Sequence, residues 1–238
     1  MYKLKQFILK KSPRAIKNLY YNIKSKRGER KSAPDIFCGI KDSNAWGGRE
    51  SVSGPGSENI PTKVLEAELP KLFEEHKISR MLDIPCGDFN WMKKVALTYA
   101  IDNDFSYIGA DIVQALILEN EKKYASERIS FLTLNVISDE LPCVDMVFVR
   151  DCFVHLSYKD IQKAIKNIKK SGSKFLMATT FVNHHDNHNI PTGHWRPINL
   201  QDAPFGFPKP AYVLMENCTE GNGAYSDKAM GLWRLEDI

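Results

Sequence analysis

Four places in the sequence put chemically capable residues directly after short apolar runs. Arg80-Met-Leu-Asp-Ile84 leads into Pro85-Cys86-Gly87-Asp88, with Asp83 inside the run. Tyr107-Ile-Gly-Ala-Asp-Ile112 carries Asp111 near its end, 24 residues after Gly87. Ile129–Leu134 closes on Asn135, and Val144–Val149 opens onto Arg150, Asp151 and, four residues on, His155. In an open α/β sheet, ligands bind beyond the carboxyl ends of the strands, so these are the positions where chemistry is expected. Gly87 lets the backbone approach a ligand as no residue with a Cβ can. An acid at position 111 can accept both ribose hydroxyls of a nucleoside cofactor. The Asn135 amide can address an adenine edge. Asp151 and His155 sit where a donor and an acceptor would meet, and His155 has the chemistry of a general base. The competing reading of His155 is a structural turn before the next helix.

The glycine content of the first loop discriminates between nucleoside cofactors. A nicotinamide dinucleotide normally needs G-x-G-x-x-G, because its pyrophosphate lies against bare backbone at a helix N-terminus. Here the loop holds one glycine, with Pro85 and Phe89 where others would stand. S-adenosylmethionine (SAM) has no phosphates and asks less of that loop. It needs an acid near its ammonium group, a part open to Asp83 or Asp88. Trp91 would wall the same pocket, or serve as a plain core tryptophan. Pro85, Cys86, Ile112, Val136 and Arg150 complete the set expected to contact the cofactor.

A second concentration of reactive types lies later in the chain. Four of the six histidines, His184, His185, His188 and His194, fall within eleven residues and have Asp186 among them. Their spacing matches no closed zinc pattern, so no metal is expected there. Gly193-His194-Trp195-Arg196-Pro197 follows the fifth apolar run. An Arg fork suits a phosphate or carboxylate and a Trp supplies a stacking face, so His194, Trp195 and Arg196 are candidate acceptor contacts. The bland reading is a packed lid whose Arg pairs with an internal acid. Trp46 and Arg49, at the start of the Ser/Gly-rich stretch 46–57, are the other candidates. The two loops are expected to close over the reacting position from opposite sides.

The elements that must position these residues read as an alternation. Helical periodicity over 61–77, which Pro70 should kink or split, precedes the first strand. Strands at 80–84, 107–112, 129–135, 144–149 and 175–181 alternate with helices near 90–99, 114–125 and 158–170. That pattern predicts a mainly parallel, doubly wound sheet. Tyr212–Glu216 and Leu232–Leu235 read as strands with no long helix between them, forming a closing antiparallel hairpin. The chain thus divides into a basic tail or helices over 1–31, a Gly/Ser-rich loop over 32–60, and a catalytic domain over 61–238.

Charge is unevenly spread. The net +4 combines eleven Lys/Arg and one acid in residues 1–31 with a remainder at −6. The high isoelectric point therefore belongs to the tail and does not imply a nucleic-acid cleft. The tail is either a solvated segment or an arm for an anionic membrane surface or an acidic partner. Five scattered cysteines without a C-x-x-C pair read as reduced thiols. With no apolar run long enough for a signal peptide or a membrane span, a cytoplasmic location is expected, peripheral to the membrane at most.

The order Leu82-Asp83-x-x-x-Gly87, an acid ending the second strand, a polar residue ending the third, and Asp151-Cys-Phe-Val-His155-Leu156 after the fourth resembles the class I SAM-dependent methyltransferases. The resemblance covers about residues 60–238. Ser51-Val-Ser-Gly-Pro-Gly-Ser57, Asp83–Trp91 and Gly193–Leu200 resemble, more narrowly, a bacterial subgroup associated in part with surface-polysaccharide gene clusters. The resemblance implies a Rossmann-like seven-stranded sheet with an antiparallel last strand, and SAM as methyl donor. Cys86 lies in the cofactor loop, whereas the Pro-Cys nucleophile of cytosine C5-methyltransferases follows strand four. The Asp/Asn-Pro-Pro-Tyr motif of exocyclic-amine methyltransferases is absent. The reading is an O-methyltransferase of a small polar acceptor, a sugar or phosphate-bearing intermediate of surface-glycan assembly. The alternatives are an RNA or protein methyltransferase recruited by the basic tail, and a SAM-binding module without catalysis. The oligomeric state is left open.

Overall fold

The structure is a computed structural model that describes residues 32–238; the basic tail over 1–31 lies outside the described residues. A seven-stranded sheet runs through it in the order β3-β2-β1-β4-β5-β7-β6. The strands are β1 Arg80–Asp83, β2 Ser106–Asp111, β3 Ile129–Thr133, β4 Met146–Val149, β5 Phe175–Phe181, β6 Tyr212–Met215 and β7 Lys228–Arg234. The first five pair in parallel, and β7 runs antiparallel to both β5 and β6. This is the Rossmann-like α/β sheet expected, mainly parallel with an antiparallel last strand. The order reverses between β1 and β4, and that switch point is where such a sheet opens a crevice.

The strands of the sheet centre are buried on both faces, and their side chains alternate between two cores. Met81, Met146 and Phe148 face one side, packed with Leu65, Leu69, Leu72 and Phe73 of α2 (Asn59–His76) and Met92, Val95 and Ala96 of α3 (Met92–Asp102). Helix α4, Gln114–Tyr124, lies on the same side through Ile117. Leu82, Val147 and Val149 face the other, packed with Ile161, Ala164 and Ile168 of α5 (Tyr158–Lys170). The long chain between β5 and β6 also packs on the α5 face, through Ile198, Leu200 and Phe207. That placement decides what its polar residues can reach.

Of the two outcomes expected at Pro70, a split does not occur: helix α2 passes through Pro70 as one element, with Pro70 interior to it. The missing N–H costs one helical rung, but buried apolar residues on both sides of the proline carry the helix through. The expectation for 32–60 needs correction, because it is not a single loop. Ala33–Asp42 forms helix α1, opened by a capping box in which the Ser32 hydroxyl accepts from the Asp35 N–H and the Asp35 carboxylate accepts from the Ser32 N–H. The Ser-x-x-Asp spacing with Pro34 in the first turn was the readable signal. No residue of α1 is fully buried. Among the described residues, no helix is long and apolar enough to cross a membrane.

Candidate functional site

A cavity opens beyond the carboxyl ends of β1, β2 and β4, at the switch point. Every residue singled out for the cofactor borders it: Asp83, Pro85, Cys86, Gly87, Asp88 and Trp91 around β1, Asp111 and Ile112 after β2, Asn135 and Val136 after β3, and Arg150 after β4. Asp151 and His155 also border it, and Trp46 contributes from above. Phe37 and Lys41 of α1, with Val52, Ser53 and Ser57, complete this roof.

The loop after β1 and the end of β2 are tied together by the carboxylate of Asp111. Its Oδ2 accepts from the Gly87 N–H at 3.0 Å, and its Oδ1 accepts from the Val113 N–H at 2.9 Å. Gly87 has φ +56°. A Cβ built there would come within 2.0 Å of the Ser53 hydroxyl, so glycine also lets the roof seat. Burial raises the Asp111 pKa to about 6 although three backbone N–H groups oppose it. Asp83 is likewise buried and pushed up to about 7 by loss of solvation, with the Tyr107 hydroxyl, 2.6 Å away, working in the other direction. Asp88 is employed differently: it accepts from the Ser51 hydroxyl and the Val52 N–H, both at 2.9 Å, and so latches the roof. Its carboxylate is thereby occupied by this chain, leaving Asp83 as the better-placed acid for a cationic group. The Asn135 Oδ1 accepts from the Ile137 N–H, so its Nδ2 is the end suited to a ligand. Burial raises the Cys86 thiol well above its ordinary value and the Cys152 thiol to about 12, which leaves both un-ionised and poor nucleophiles.

Beyond β4 lies a group of four charges, of which Arg150, Glu216 and Lys228 are buried and Asp151 is partly exposed. The Arg150 guanidinium donates twice to Glu216 Oε2, at 2.7 and 3.2 Å, and to the Gly56 carbonyl at 2.9 Å. Lys228 Nζ donates to Asp151 Oδ2 at 2.7 Å. Burial alone would raise the Asp151 pKa; the Lys228 ammonium and Arg150 guanidinium outweigh it and hold the carboxyl well below the usual range. Asp151 is therefore a permanent anion paired within the protein, not a base. Lys228 and Glu216 lie on or beside β6 and β7, far along the chain from the motifs, and were missed for that reason. Gly56 sits over this group, and a Cβ there would stand 3.4 Å from the Asp151 carboxylate.

His155 ends the 3-10 turn Phe153–His155. Its Nδ1 lies 3.0 Å from the His194 carbonyl, which can only accept, so Nδ1 carries the proton and Nε2 the lone pair. The ring stacks against Trp46, with centroids 4.8 Å apart and planes at 32°. Burial is the largest cause lowering its pKa, to about 4. The imidazole is thus neutral at physiological pH.

The remaining acceptor candidates are corrected by the structure. Arg49, His194, Trp195 and Arg196 do not border the cavity. Arg49 is exposed, and its backbone N–H donates to Glu58. The His194 carbonyl accepts from the His155 ring, which borders the cavity. Trp195 packs edge-on against Tyr225 and Phe181 on the surface. Arg196 is 1% exposed and donates to the carbonyls of His188, Phe153 and Leu156. The loop carrying these residues follows the α5 core behind the site, so of the two loops expected to close over it the 46–57 segment does so, together with α1. Among the described residues no group of three His, Cys, Asp or Glu side chains gathers to hold a metal, and His185 instead bonds Asp202 at 2.8 Å.

No protein-family profile and no curated protein matches the sequence. Solved structures resemble it distantly. An O-methyltransferase family protein from Burkholderia thailandensis is 13% identical, with 52% of this chain and 39% of that chain covered and a TM-score of 0.43. Magnesium protoporphyrin IX methyltransferase from Synechocystis PCC 6803 with bound SAM is 13% identical over 68% of this chain and 82% of that one, at 0.48. Human N-acetylserotonin methyltransferase in complex with SAM is 12% identical over 83% and 66%, at 0.47. Likeness of this degree carries no functional argument, which rests on the residues themselves.

Proposed function

We propose that this chain is a SAM-dependent methyltransferase that methylates a hydroxyl oxygen of a small polar acceptor. The observation that carries the reading is the acidic character of the nucleoside end of the cavity, with a single glycine in the loop after β1. Asp83 and Asp111 are carboxylates short of solvation, and Asp88 lies beside them. Such a wall repels a pyrophosphate and favours a cation. SAM, when bound, supplies a methyl group carried on a cationic sulfonium, together with an ammonium group. Asp111 accepts from the ribose hydroxyls, Asn135 Nδ2 donates to the base, and Ile112 and Val136 give it apolar walls. Asp83 faces the positive charge.

On the acceptor side, Trp46 offers a face for a sugar or other flat ring, and His155 Nε2 accepts from the hydroxyl. A weakly basic imidazole suffices, because a hydroxyl proton becomes far more acidic as the oxygen is alkylated; His155 takes it late. A phosphate-bearing acceptor loses the support of Arg49 and Arg196, which lie off the cavity, and of Arg150, which is already paired, and keeps that of Lys41 in the roof, 3.1 Å from Asp42. The surface-glycan setting rests on the three sequence motifs, and the Trp46 face is compatible with it. A nucleic-acid substrate is disfavoured by the carboxylates that outnumber the cations in the cavity lining.

Calorimetric titration tests the cofactor. Asp111→Ala should weaken SAM binding by about 1.5–3 kcal/mol, the scale of hydrogen bonds to a charged group. Asp111→Asn should fall between that variant and the wild type. Unchanged affinity in both variants, or tighter binding of NAD than of SAM, overturns the reading.

A further inference from the structure

Arg196 is a buried cation with no carboxylate within salt-bridge distance among the described residues, and its only hydrogen-bond partners are carbonyls. Burying a guanidinium this way is costly, and a loop could be stapled more cheaply by a neutral side chain. What the charge holds is specific. Nη1 donates to the Phe153 carbonyl at 2.8 Å and Nη2 to the Leu156 carbonyl at 2.9 Å. The fork therefore brackets the short turn that carries His155. The same segment caps the two carbonyls between them: the Arg196 N–H donates to Val154 at 3.1 Å, and the Gly193 N–H donates to His155 at 2.8 Å. All four carbonyls of 153–156 thus accept from residues 193–196. The segment also returns the one hydrogen bond made by the His155 ring, from Nδ1 to the His194 carbonyl.

We propose that Arg196 is the positioning residue for His155: its fork fixes the turn bearing the imidazole, and the segment it anchors selects the Nδ1-protonated tautomer that leaves the Nε2 lone pair available at the cavity. The motif Gly193-His194-Trp195-Arg196 then acts through His155 and never touches the acceptor. The planar guanidinium holds its donors in a fixed fork that spans both carbonyls, whereas a lysine ammonium has donors on a single atom and no such fork. Its charge also works against protonation of the imidazole, as does that of Lys228, while Asp151 favours it. The proposal takes from the functional reading only the importance of His155. Its test uses the ligand-free protein, so it stands or fails independently of SAM binding.

The test is long-range proton–nitrogen NMR of the histidine rings in uniformly labelled protein, with His155 assigned by its loss in His155→Gln. Wild-type His155 should show the Nδ1-protonated tautomer and no titration between pH 8 and 5. Arg196→Gln should show a mixture of tautomers and a displaced titration midpoint, since both the Arg196 charge and the His194 bond bear on the ring. Arg196→Lys keeps the charge without the fork, so it should mix tautomers too. Trp195→Ala disturbs the same loop but not the fork and should match the wild type. Should Arg196→Gln fail to fold, as judged by circular dichroism, Arg196→Lys decides. Wild-type tautomer and midpoint in a folded Arg196 variant, or a change in Trp195→Ala as large as in Arg196→Gln, overturns the proposal.

Discussion

Two buried arginines anchor two segments on either side of the same turn, and they do so by opposite means. Arg150 borders the cavity, is neutralised by Glu216 with Asp151 close by, and holds the roof through the Gly56 carbonyl. Arg196 lies behind the cavity, meets no carboxylate among the described residues, and holds the turn at 153–156 through carbonyls. Neutralisation tells in their pKa values: burial pulls both down, but Glu216 and Asp151 carry Arg150 above its ordinary value, whereas Arg196 is left lowered to about 10. The first arginine is part of an electrostatic unit that also fixes Asp151; the second is a geometric brace. An Arg in a motif is therefore not by itself an anion site. Its role depends on which face of the sheet its loop is bound to.

The sharpest way to break this comparison is to remove the acid from one arginine. Glu216→Ala should destabilise the protein by about 3–5 kcal/mol in urea denaturation, because Arg150 and Lys228 are left with one anion between them. Glu216→Gln should cost less, since a carboxamide oxygen still accepts from the guanidinium. If Glu216→Ala cost no more than about 1 kcal/mol, the four charges would be a passive cluster and the contrast with Arg196 would collapse.

Releasing the roof should have a smaller and more local effect. Asp88→Ala removes both acceptors of the Ser51 hydroxyl and the Val52 N–H. At about 1.5–3 kcal/mol for hydrogen bonds to a charged group, local opening of 46–57 should rise about tenfold or more. Limited proteolysis reads this as faster cleavage within 46–57, with cleavage in 184–210 unchanged. Equal acceleration in both segments would mean that the two are one cooperative unit.

These two expectations depend on features of unequal legibility. The strand order of chemistry was readable because each ligand-facing residue directly follows an apolar run: Asp83, Gly87, Asp111, Asn135, Asp151 and His155 all border the cavity. Local spacing is enough there, since a parallel strand delivers its last residue to a fixed place. The α1 helix was readable from Ser32-x-x-Asp35 but was obscured by the glycines around it. Lys228 and Glu216 were not singled out: the closing hairpin was readable, but Glu216 meets Arg150 across 66 residues of sequence, for which no local pattern exists. Arg196 was placed wrongly for a related reason. Composition showed that it could fork onto something, but whether its loop passes above or behind the strand ends is settled by burial of Ile198, Leu200 and Phe207 on the α5 core.

The acidic wall gives a third expectation, of about 1.4 kcal/mol or more. In the ligand-free protein Asp83 and Asp111 bind protons more tightly than in the unfolded chain, with pKa values of about 7 and about 6. Their burial therefore costs stability as pH rises from about 4 to about 7. A cationic ligand needs both ionised and must displace whatever protons they hold. SAM affinity should accordingly fall as pH drops from 8 to 5, by about tenfold or more, and Asp111→Asn should flatten the dependence. Affinity that is level over this range would place the cationic group away from both carboxylates.

The smallest expected effect sharpens the comparison from the other side. Arg49 stands in the roof segment beside Trp46, and its chemistry made it a candidate for an anionic acceptor. Yet only the backbone of Arg49 is engaged, through its N–H to Glu58 at 2.6 Å, and the residue is exposed and off the cavity. Arg49→Ala should change stability by less than about 0.5 kcal/mol, as surface substitutions away from special features do. It should leave SAM affinity unchanged, because the residue meets no cofactor-facing group. Trp46→Ala, one turn of loop away, removes the ring stacked on His155 and should perturb the His155 ring signals in NMR. If Arg49→Ala produced the larger change in those signals, the roof would have to reorganise so that Arg49 turns inward. The 46–57 segment would then carry a cation to the acceptor after all, and the division between an electrostatic unit at Arg150 and a neutral acceptor face at Trp46 would have to be redrawn.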